Sequence, residues 1–274
     1  MKYIGKLLLF VFFPAGILYL WLLRCGKRPW PEGLKAHFFA HRGLHHQPDA
    51  PENSLAAFQA ALEAGFGAEL DVHLMKDGNL AVIHDSSLLR TAGVDLRIED
   101  LCAEDLKEYR LEGSEERIPL LEKVLGLFDG KTPLVIELKT VDKNHKELTA
   151  AVCRLLDCYS VNYCIESFDP RVLYWLKKNR PEIIRGQLSC DLREEGTYSP
   201  LVLWALTHLL SSGFTRPDFI AYDYHARSLC PELKICRRLY GVQEVSWTVR
   251  DAETAAQLRR KGNLIIFEGF MPNM

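Results

Sequence analysis

Eight short apolar runs recur along the chain, and stretches with the pattern of helices separate them. The runs are Phe38 to His41, Gly67 to Asp71, Leu134 to Leu138, Asn162 to Glu166, Ile183 to Gln187, Phe219 to Tyr222, Val245 to Val249 and Leu264 to Phe267. Strands that alternate with helices are typical of a parallel sheet, because a parallel neighbour is reached through a crossover. Eight such units in about 240 residues predict a closed eight-stranded barrel with one helix after each strand.

Helix start signals lie where this pattern needs them. Asn53 or Ser54, Asp169 and Asp251 each stand just before an apolar-periodic stretch, where a side-chain oxygen can cap the first turn. Beyond residue 35 there is no long linker, low-complexity tract or repeat of solenoid length, so residues 35–274 are predicted to form one domain. The predicted helices include Leu55 to Ala64, Leu120 to Phe128, Val172 to Asn179 and Ala252 to Lys261.

A different kind of segment precedes this domain. Residues 7–23 are uncharged and strongly apolar, with basic residues on both sides. A helix of this length spans roughly 26 Å, slightly less than a bilayer core of about 30 Å, so we predict an N-terminal transmembrane helix and assign residues 1–30 to a membrane anchor with a short juxtamembrane segment. A cleaved signal peptide is the alternative, but no small-residue cleavage site follows. Basic residues slightly favour the carboxyl side, which predicts a single-pass protein of the cell membrane with its domain in the cytoplasm.

Charge and cysteine content narrow the function classes. The formal net charge is −2 and 26% of residues are charged, so no basic excess indicates a nucleic-acid partner. Eight cysteines are scattered without a Cys-x-x-Cys pair, and several lie inside apolar runs. This usage favours buried, reduced thiols and a reducing compartment.

Ionisable side chains are densest between Phe39 and Asp85, which indicates an active site. Glu69 and Asp71 are two residues apart in a strand-like run, so both carboxylates point to one face of the strand. Two adjacent carboxylates require positive charge nearby. The spacing therefore predicts a cation beside this strand.

A hairpin is expected directly after this strand. Asp77-Gly78 lies between alternating apolar runs, which is a strong hairpin signal. Pairing Met75 with Leu80 places Asp71 opposite His84, and we predict this register because it brings the imidazole beside the carboxylates. A slip of one residue would turn His84 to the other face.

A set of short motifs runs in order along nearly the whole domain. The motifs are His41-Arg42-Gly43, Pro51-Glu52-Asn53-Ser54, Glu69-Leu70-Asp71-Val72, Lys76-Asp77-Gly78, His84-Asp85, Ile118-Pro119, Glu137-Leu138-Lys139, Ser167-Phe168-Asp169 and Trp247-Thr248-Val249. Together they resemble the glycerophosphodiester phosphodiesterase family. The resemblance implies a TIM (β/α)8 barrel of the phospholipase C-like phosphodiesterase type, on which the hairpin would form an arm. It also implies hydrolysis of glycerophosphodiesters to an alcohol and glycerol 3-phosphate.

The resemblance implies specific roles for the acidic and imidazole groups. Glu69, Asp71 and Glu137 match the metal ligands, and His41 and His84 match the acid/base pair. Three carboxylates form an all-oxygen donor set, which suits Mg²⁺ or Ca²⁺. Histidine titrates near neutral pH, so one imidazole can take the proton of the attacking oxygen while the other gives a proton to the departing ester oxygen.

Further positions match the substrate-binding parts of the family. Arg42 and Lys139 correspond to the cations that contact phosphate, and Glu52 to a supporting residue. Trp247 either lines a glycerol pocket or belongs to the core, since a tryptophan on a barrel strand is often packed inside. The chain departs from the family pattern at Glu166, where a neutral residue is expected, and at Phe267-Glu268, where a Thr-Asp pair is usual.

Two alternatives to this function remain open at the level of sequence. One is a lysophospholipase D-like activity on lysophospholipids, for which Phe267, Phe270 and Met271 would supply an apolar groove. The other is a non-catalytic barrel that binds phosphodiester headgroups without cleaving them.

Overall fold

Eight parallel strands form the centre of the molecule and close into a barrel. The computed structural model describes residues 14–35, 38–193 and 198–272. The strands are β1 (Phe39–Ala40), β2 (Gly67–Leu74), β4 (Leu134–Leu138), β5 (Tyr163–Ser167), β6 (Arg185–Ser189), β7 (Phe219–Asp223), β8 (Gln243–Val249) and β9 (Leu264–Phe267). The first strand pairs with both the second and the last, which closes the ring. The predicted barrel is confirmed.

Helices cover the outside of the barrel, and three of the predicted caps are present. Ser54, Asp169 and Asp251 each accept a hydrogen bond from a backbone N–H in the first turn of the following helix. The helices are α1 (14–22), α2 (Glu32–Lys35), α3 (Leu55–Glu63), α4 (Leu89–Ala92), α5 (Leu121–Phe128), α6 (His145–Leu156), α7 (Pro170–Asn179), α8 (Pro200–Thr207), α9 (Ser212–Thr215), α10 (Glu232–Ile235) and α11 (Ala252–Arg260).

Two apolar layers hold the strands in place. Inside the barrel, Phe219 and Val135 are buried, and the ring of Trp30 meets Phe219 edge-on at 5.1 Å near the amino end of β7. Outside it, Leu70 and Val72 pack against the helices. Because side chains alternate along a strand, the acidic residues of β2 face the interior, as predicted. All eight cysteines carry free thiols, and five are buried.

A short strand, β3 (Leu80–Val82), pairs antiparallel with the last residues of β2. The two strands form the predicted hairpin arm. The predicted register is wrong by one residue, because Leu74 rather than Met75 lies opposite Leu80. The N–H of Met75 donates to the carbonyl of Asn79, which makes the loop three residues long instead of two. Gly78 has a φ of 85°, the conformation that such a loop requires at its last position.

This slip does not turn His84 away from the interior. The N–H of Ile83 donates to the carbonyl of Asp71, so the ladder ends just before His84. Beyond the ladder the alternation of faces no longer decides where a side chain points, and His84 lines the interior cleft.

The described part of the predicted membrane span is helix α1, which packs on the barrel. The hydroxyl of Tyr19 donates to Glu232 at 2.8 Å, that of Tyr240 donates to the Leu20 carbonyl at 2.6 Å, and Leu23 is fully buried. Within the described ranges, no helix combines the length and apolar character that crossing a bilayer requires. Residues 7–13 of the predicted span lie outside the described residues.

Candidate active site

Three carboxylates from two neighbouring strands form a buried cluster inside the barrel. Glu69 and Asp71 both point inward from β2, and Asp71 lies beside Glu137 of β4 in the parallel register. One oxygen of each residue lies within 4.8 Å of the others. The three acids that the family resemblance selects are therefore brought together.

Two basic residues compensate part of this negative charge. Lys139 Nζ lies 3.0 Å from Asp71 Oδ1 and 2.8 Å from Glu137 Oε1. Arg42 Nε lies 3.4 Å from Asp71 Oδ2, and the Arg42 backbone N–H donates to Glu69 at 3.1 Å. Two cations face three carboxylates, so the cluster stays short of neutrality.

The pKa values of the three acids reflect this incomplete compensation. Burial raises the pKa of Glu69 well above its usual value, and the charge of Asp71 adds to the rise. Burial also raises the pKa of Glu137 to about 7, although Lys139 opposes the change. Burial acts in the same direction on Asp71, but the charges of Lys139 and Arg42 outweigh it, so the pKa of Asp71 is lowered. An additional positive charge would stabilise ionised Glu69 and Glu137.

These observations test whether the cluster fits a divalent cation. Its donor atoms are all carboxylate oxygens, which Mg²⁺ and Ca²⁺ prefer. The acids are buried and undercompensated, so a cation would relieve a real electrostatic cost. The residues present fit such an ion.

The first imidazole of the site is held by an acid from the last strand. His41 Nδ1 lies 2.6 Å from Oε2 of Glu268, which directly follows β9. Hydrogen bonds from His41 and His45 lower the pKa of Glu268, so it is an ionised acceptor and His41 Nδ1 carries the proton. The basic nitrogen Nε2 is left 3.9 Å from Glu69 Oε2. Burial lowers the pKa of His41 even though Glu268 opposes it, so the ring is a neutral base.

The second imidazole has an equivalent arrangement. His84 Nδ1 lies 2.6 Å from Asp85 Oδ1, and Arg90 Nε donates to the other oxygen of Asp85 at 2.6 Å. Burial would raise the pKa of Asp85, but the hydrogen bonds from Arg90 and His84 outweigh it and keep the acid ionised. His84 Nδ1 is therefore the protonated nitrogen, and Nε2 is the basic one. Burial lowers the pKa of His84 below its ordinary value.

A sharp turn after β1 places the guanidinium of Arg42. Arg42 and Gly43 both have positive φ, and a Cβ on Gly43 would lie 2.8 Å from the Ala57 backbone. Asn53 donates its N–H to the Arg42 carbonyl at 2.9 Å and its side-chain amide to Asp71 at 2.9 Å. The residues of two separate motifs thus build one loop.

Glu52 holds this loop to the hairpin side of the site. Its carboxylate accepts from Arg42 Nη1 at 2.9 Å and from Arg90 Nη2 at 2.7 Å. Glu52 does not itself line the cleft.

The site opens into a cleft of about 970 Å³ at the carboxyl ends of the strands. His41, His84, Glu69, Glu137 and Lys139 line it together with Arg42 and Trp247. Trp247 is half-buried and packs edge-on against Phe168, with ring centroids 5.9 Å apart. Trp247 lines the cleft and also packs against the apolar cluster inside the barrel.

Four residues were not selected from the sequence as site residues, of which Asp85, His73 and Glu166 line the cleft and Glu268 contacts His41 beside it. Glu268 and Asp85 orient the two imidazoles, and His73 Nε2 lies 3.1 Å from the His84 carbonyl oxygen. Glu166 lies in the wall of the cleft. Asp85 could have been found from its position directly after His84. Glu166 and Glu268 were visible as departures from the family pattern. No local pattern, however, predicts that Glu268 lies beside His41.

The fold and the site define the class of protein. It is a (β/α)8 barrel with acids, imidazoles and cations at the carboxyl ends of its strands, where barrel enzymes hold their active sites. The chain belongs to the glycerophosphoryl diester phosphodiesterase family, whose model matches residues 41–267. It is thus a member of an enzyme family.

Individual relatives agree with this assignment. A glycerophosphodiester phosphodiesterase of Caldanaerobacter subterraneus is 30% identical over 240 residues, which cover 84% of this chain and 92% of that protein. A lysophospholipase D of Rattus norvegicus is 34% identical over 141 residues, 46% of this chain and 44% of that protein. The structure of an Oleispira antarctica phosphodiesterase, solved in complex with sn-glycerol-3-phosphate, matches this one with a TM-score of 0.68. The match covers 85% of this chain and 92% of that chain at 24% identity, and it shows that the two share a fold.

The contact between Glu268 and His41 leads to a testable prediction. Glu268→Gln keeps a side chain of similar size but removes the charge that stabilises the His41 imidazolium, so the pKa of His41 should fall further. Imidazole NMR titration of the histidine-labelled protein measures it. Glu147→Gln, an exposed position on α6, should leave the His41 titration unchanged. A His41 pKa that stays constant or rises in Glu268→Gln would show that the contact does not act on this ring.

Proposed function

We propose that the chain hydrolyses glycerophosphodiesters to an alcohol and glycerol 3-phosphate. The observation that carries this proposal is the combination of three clustered carboxylates and two imidazoles at one cleft, each imidazole bound to an acid through Nδ1. Membership of the family and the named activity of the Caldanaerobacter relative support it.

The carboxylate cluster has the role of a cation site in this proposal. Glu69, Asp71 and Glu137 would hold Mg²⁺ or Ca²⁺, which supplies positive charge that neutralises and orients the phosphodiester. Arg42 Nε and Trp247 Nε1 are buried N–H groups without a hydrogen-bond partner among the described residues. In this proposal Arg42 and Lys139 contact the phosphate and Trp247 contacts the glycerol.

The imidazoles move the protons. We assign His41 as the base, because its neutral ring presents Nε2. We assign His84 as the acid, which enters the step as the imidazolium that Asp85 and the charge of Asp71 favour, and gives its Nε2 proton to the departing alcohol oxygen. A bond forms between phosphorus and the attacking oxygen, whose proton passes to His41, while the bond between phosphorus and the departing oxygen breaks. Positioned proton transfers of this kind contribute about 10²- to 10⁴-fold each.

An assay of the purified full-length chain tests the reaction and its cation. We expect glycerol 3-phosphate to be released from glycerophosphocholine or glycerophosphoethanolamine with Mg²⁺ or Ca²⁺ present, and EDTA to stop the release because the carboxylates then lack their counter-charge. A coupled assay for glycerol 3-phosphate measures it. Full activity in EDTA would remove the cation from the proposal, and no turnover of any diester with either ion would favour the barrel that only binds phosphodiesters.

Removal of either imidazole tests the acid/base assignment. His41→Ala and His84→Ala should each lower kcat by at least about 10²-fold, since each deletes one proton transfer. Thermal unfolding should stay close to wild type. The matched control is His46→Ala, an exposed position outside the cleft, which should keep full activity. Unfolding of a His41 or His84 variant would identify that histidine as structural.

A lysophospholipase D-like reaction is the second candidate, and apolar surface near the cleft favours it. The hydroxyl of Tyr222 at the end of β7 donates to the Thr207 carbonyl, so the last turn of α8 lies at the level of the barrel rim. Leu201, which is 73% exposed, and the exposed Trp204 stand on the turns before it. The predicted groove around Phe267 is wrong in one respect, because Phe267 is buried in the core. Release of choline from lysophosphatidylcholine, followed with a choline-detecting assay under the same conditions, would distinguish this reaction.

We also propose that the chain works at a membrane, with its domain in the cytoplasm. Helix α1 approaches the same rim as α8, because Tyr19 and His208 contact opposite oxygens of Glu232. Ile17 and Leu18 of α1 are exposed, and the apolar residues 7–13 precede them. One apolar face at the mouth of the cleft would thus meet the lipid.

Vesicle sedimentation tests this membrane face. Leu201→Ser and Trp204→Ser together should weaken binding of the full chain to phospholipid vesicles about tenfold or more, because two apolar side chains no longer leave water. Tyr174→Ser, which removes an exposed ring on α7, is the matched control. Equal binding by the double variant and the control would mean that α8 does not contact lipid.

A further inference from the structure

Glu166 is a buried acid that the proposed reaction does not use. It lies on β5 directly beside Glu137 of β4, which in turn lies beside Asp71 of β2. Paired residues of neighbouring parallel strands face the same side, so the three acids form a row across the interior wall. The side chain of Glu166 is part of the cleft lining, although the residue is only 1% exposed.

This carboxylate lacks the partners that buried acids normally have. Oε2 of Glu166 is buried without a hydrogen bond to any described residue. Each of the other buried acids of the described chain has a nitrogen or hydroxyl partner, as Glu244 has with Arg227 and Arg237 and Asp218 has with Arg28. An unpaired buried carboxylate costs several kcal/mol. The acidic row therefore needs a further positive charge, and no described residue supplies it.

A count of charges leads to the same conclusion. Glu69, Asp71, Glu137 and Glu166 offer four negative charges to this wall, whereas Arg42 and Lys139 offer two positive ones. Lys139 is already within 3.0 Å of both Asp71 and Glu137. A divalent cation would restore the balance, and Glu166 belongs to the lining of the cleft in which that ion would lie.

We propose that Glu166 strengthens divalent cation binding as a fourth carboxylate of this site. The cluster whose oxygens lie within 4.8 Å of one another consists of Glu69, Asp71 and Glu137, so Glu166 acts on water held by the ion rather than as a direct ligand. The inference rests on the cation site of the proposed function. It goes beyond that function because the family pattern places a neutral residue at position 166.

Calorimetric titration of the metal-stripped full-length chain with Mg²⁺ or Ca²⁺ alone tests this role without an activity readout. Glu166→Gln should weaken binding about tenfold or more, the effect typical of residues that support a metal site from outside its ligands. Glu166→Asp keeps the charge, so its affinity should lie between those of Glu166→Gln and wild type. The exposed Glu147→Gln on α6 should bind as wild type, and Glu137→Gln should lose most binding.

Thermal unfolding gives a second readout that a purely structural role would not reproduce. Glu166→Gln should unfold at the same or a higher temperature than wild type without cation, because an unpaired buried acid is removed, and should gain less stability when cation is added. The same cation affinity in Glu166→Gln and wild type, with Glu137→Gln defective, would overturn the role of Glu166 alone. Absence of cation binding by wild type would overturn the cation site as well, while leaving the hydrolysis assay to decide the reaction.

Discussion

The structure depends on placing several carboxylates in the interior of a barrel without leaving their charge uncompensated. Asp71 and Glu137 occupy neighbouring positions on parallel strands, where apolar residues would ordinarily pack. Lys139, two residues after Glu137 on the same strand face, reaches back to both acids. A salt bridge at this depth stabilises less than an apolar contact would, so its presence indicates function rather than stability.

Closure of the barrel also brings together His41, the proposed base, and Glu268. The N–H of His41 donates to the Phe267 carbonyl at 2.9 Å, a contact between the first and last strands. Glu268, one residue further, then reaches the imidazole of His41. The two residues are 227 positions apart, so the orientation of this ring depends on completion of the whole ring of strands.

A separate apolar cluster supports the second imidazole. Met75, Ile83, Leu88 and Ile98 belong to a small core formed by the hairpin and the segment after it. Glu99 of that segment lies 2.7 Å from His73 Nδ1, and His73 contacts the His84 carbonyl. Packing within the arm and the contact from His73 thus fix the position of His84. For this reason His84 reaches the cleft even though the predicted strand register is off by one residue.

The sequence alone determined the barrel, because eight apolar runs alternating with capped helices allow few other arrangements. It also determined that the two acids of β2 share one face, because a spacing of two residues places side chains on the same side of a strand. It also determined most of the cleft through its family motifs. Only the tertiary structure decided that Glu268 orients His41, that Glu166 joins the acidic row, and that the hairpin loop has three residues. Those outcomes depend on contacts between distant strands and on turn geometry, and neither leaves a periodic signal in a single sequence.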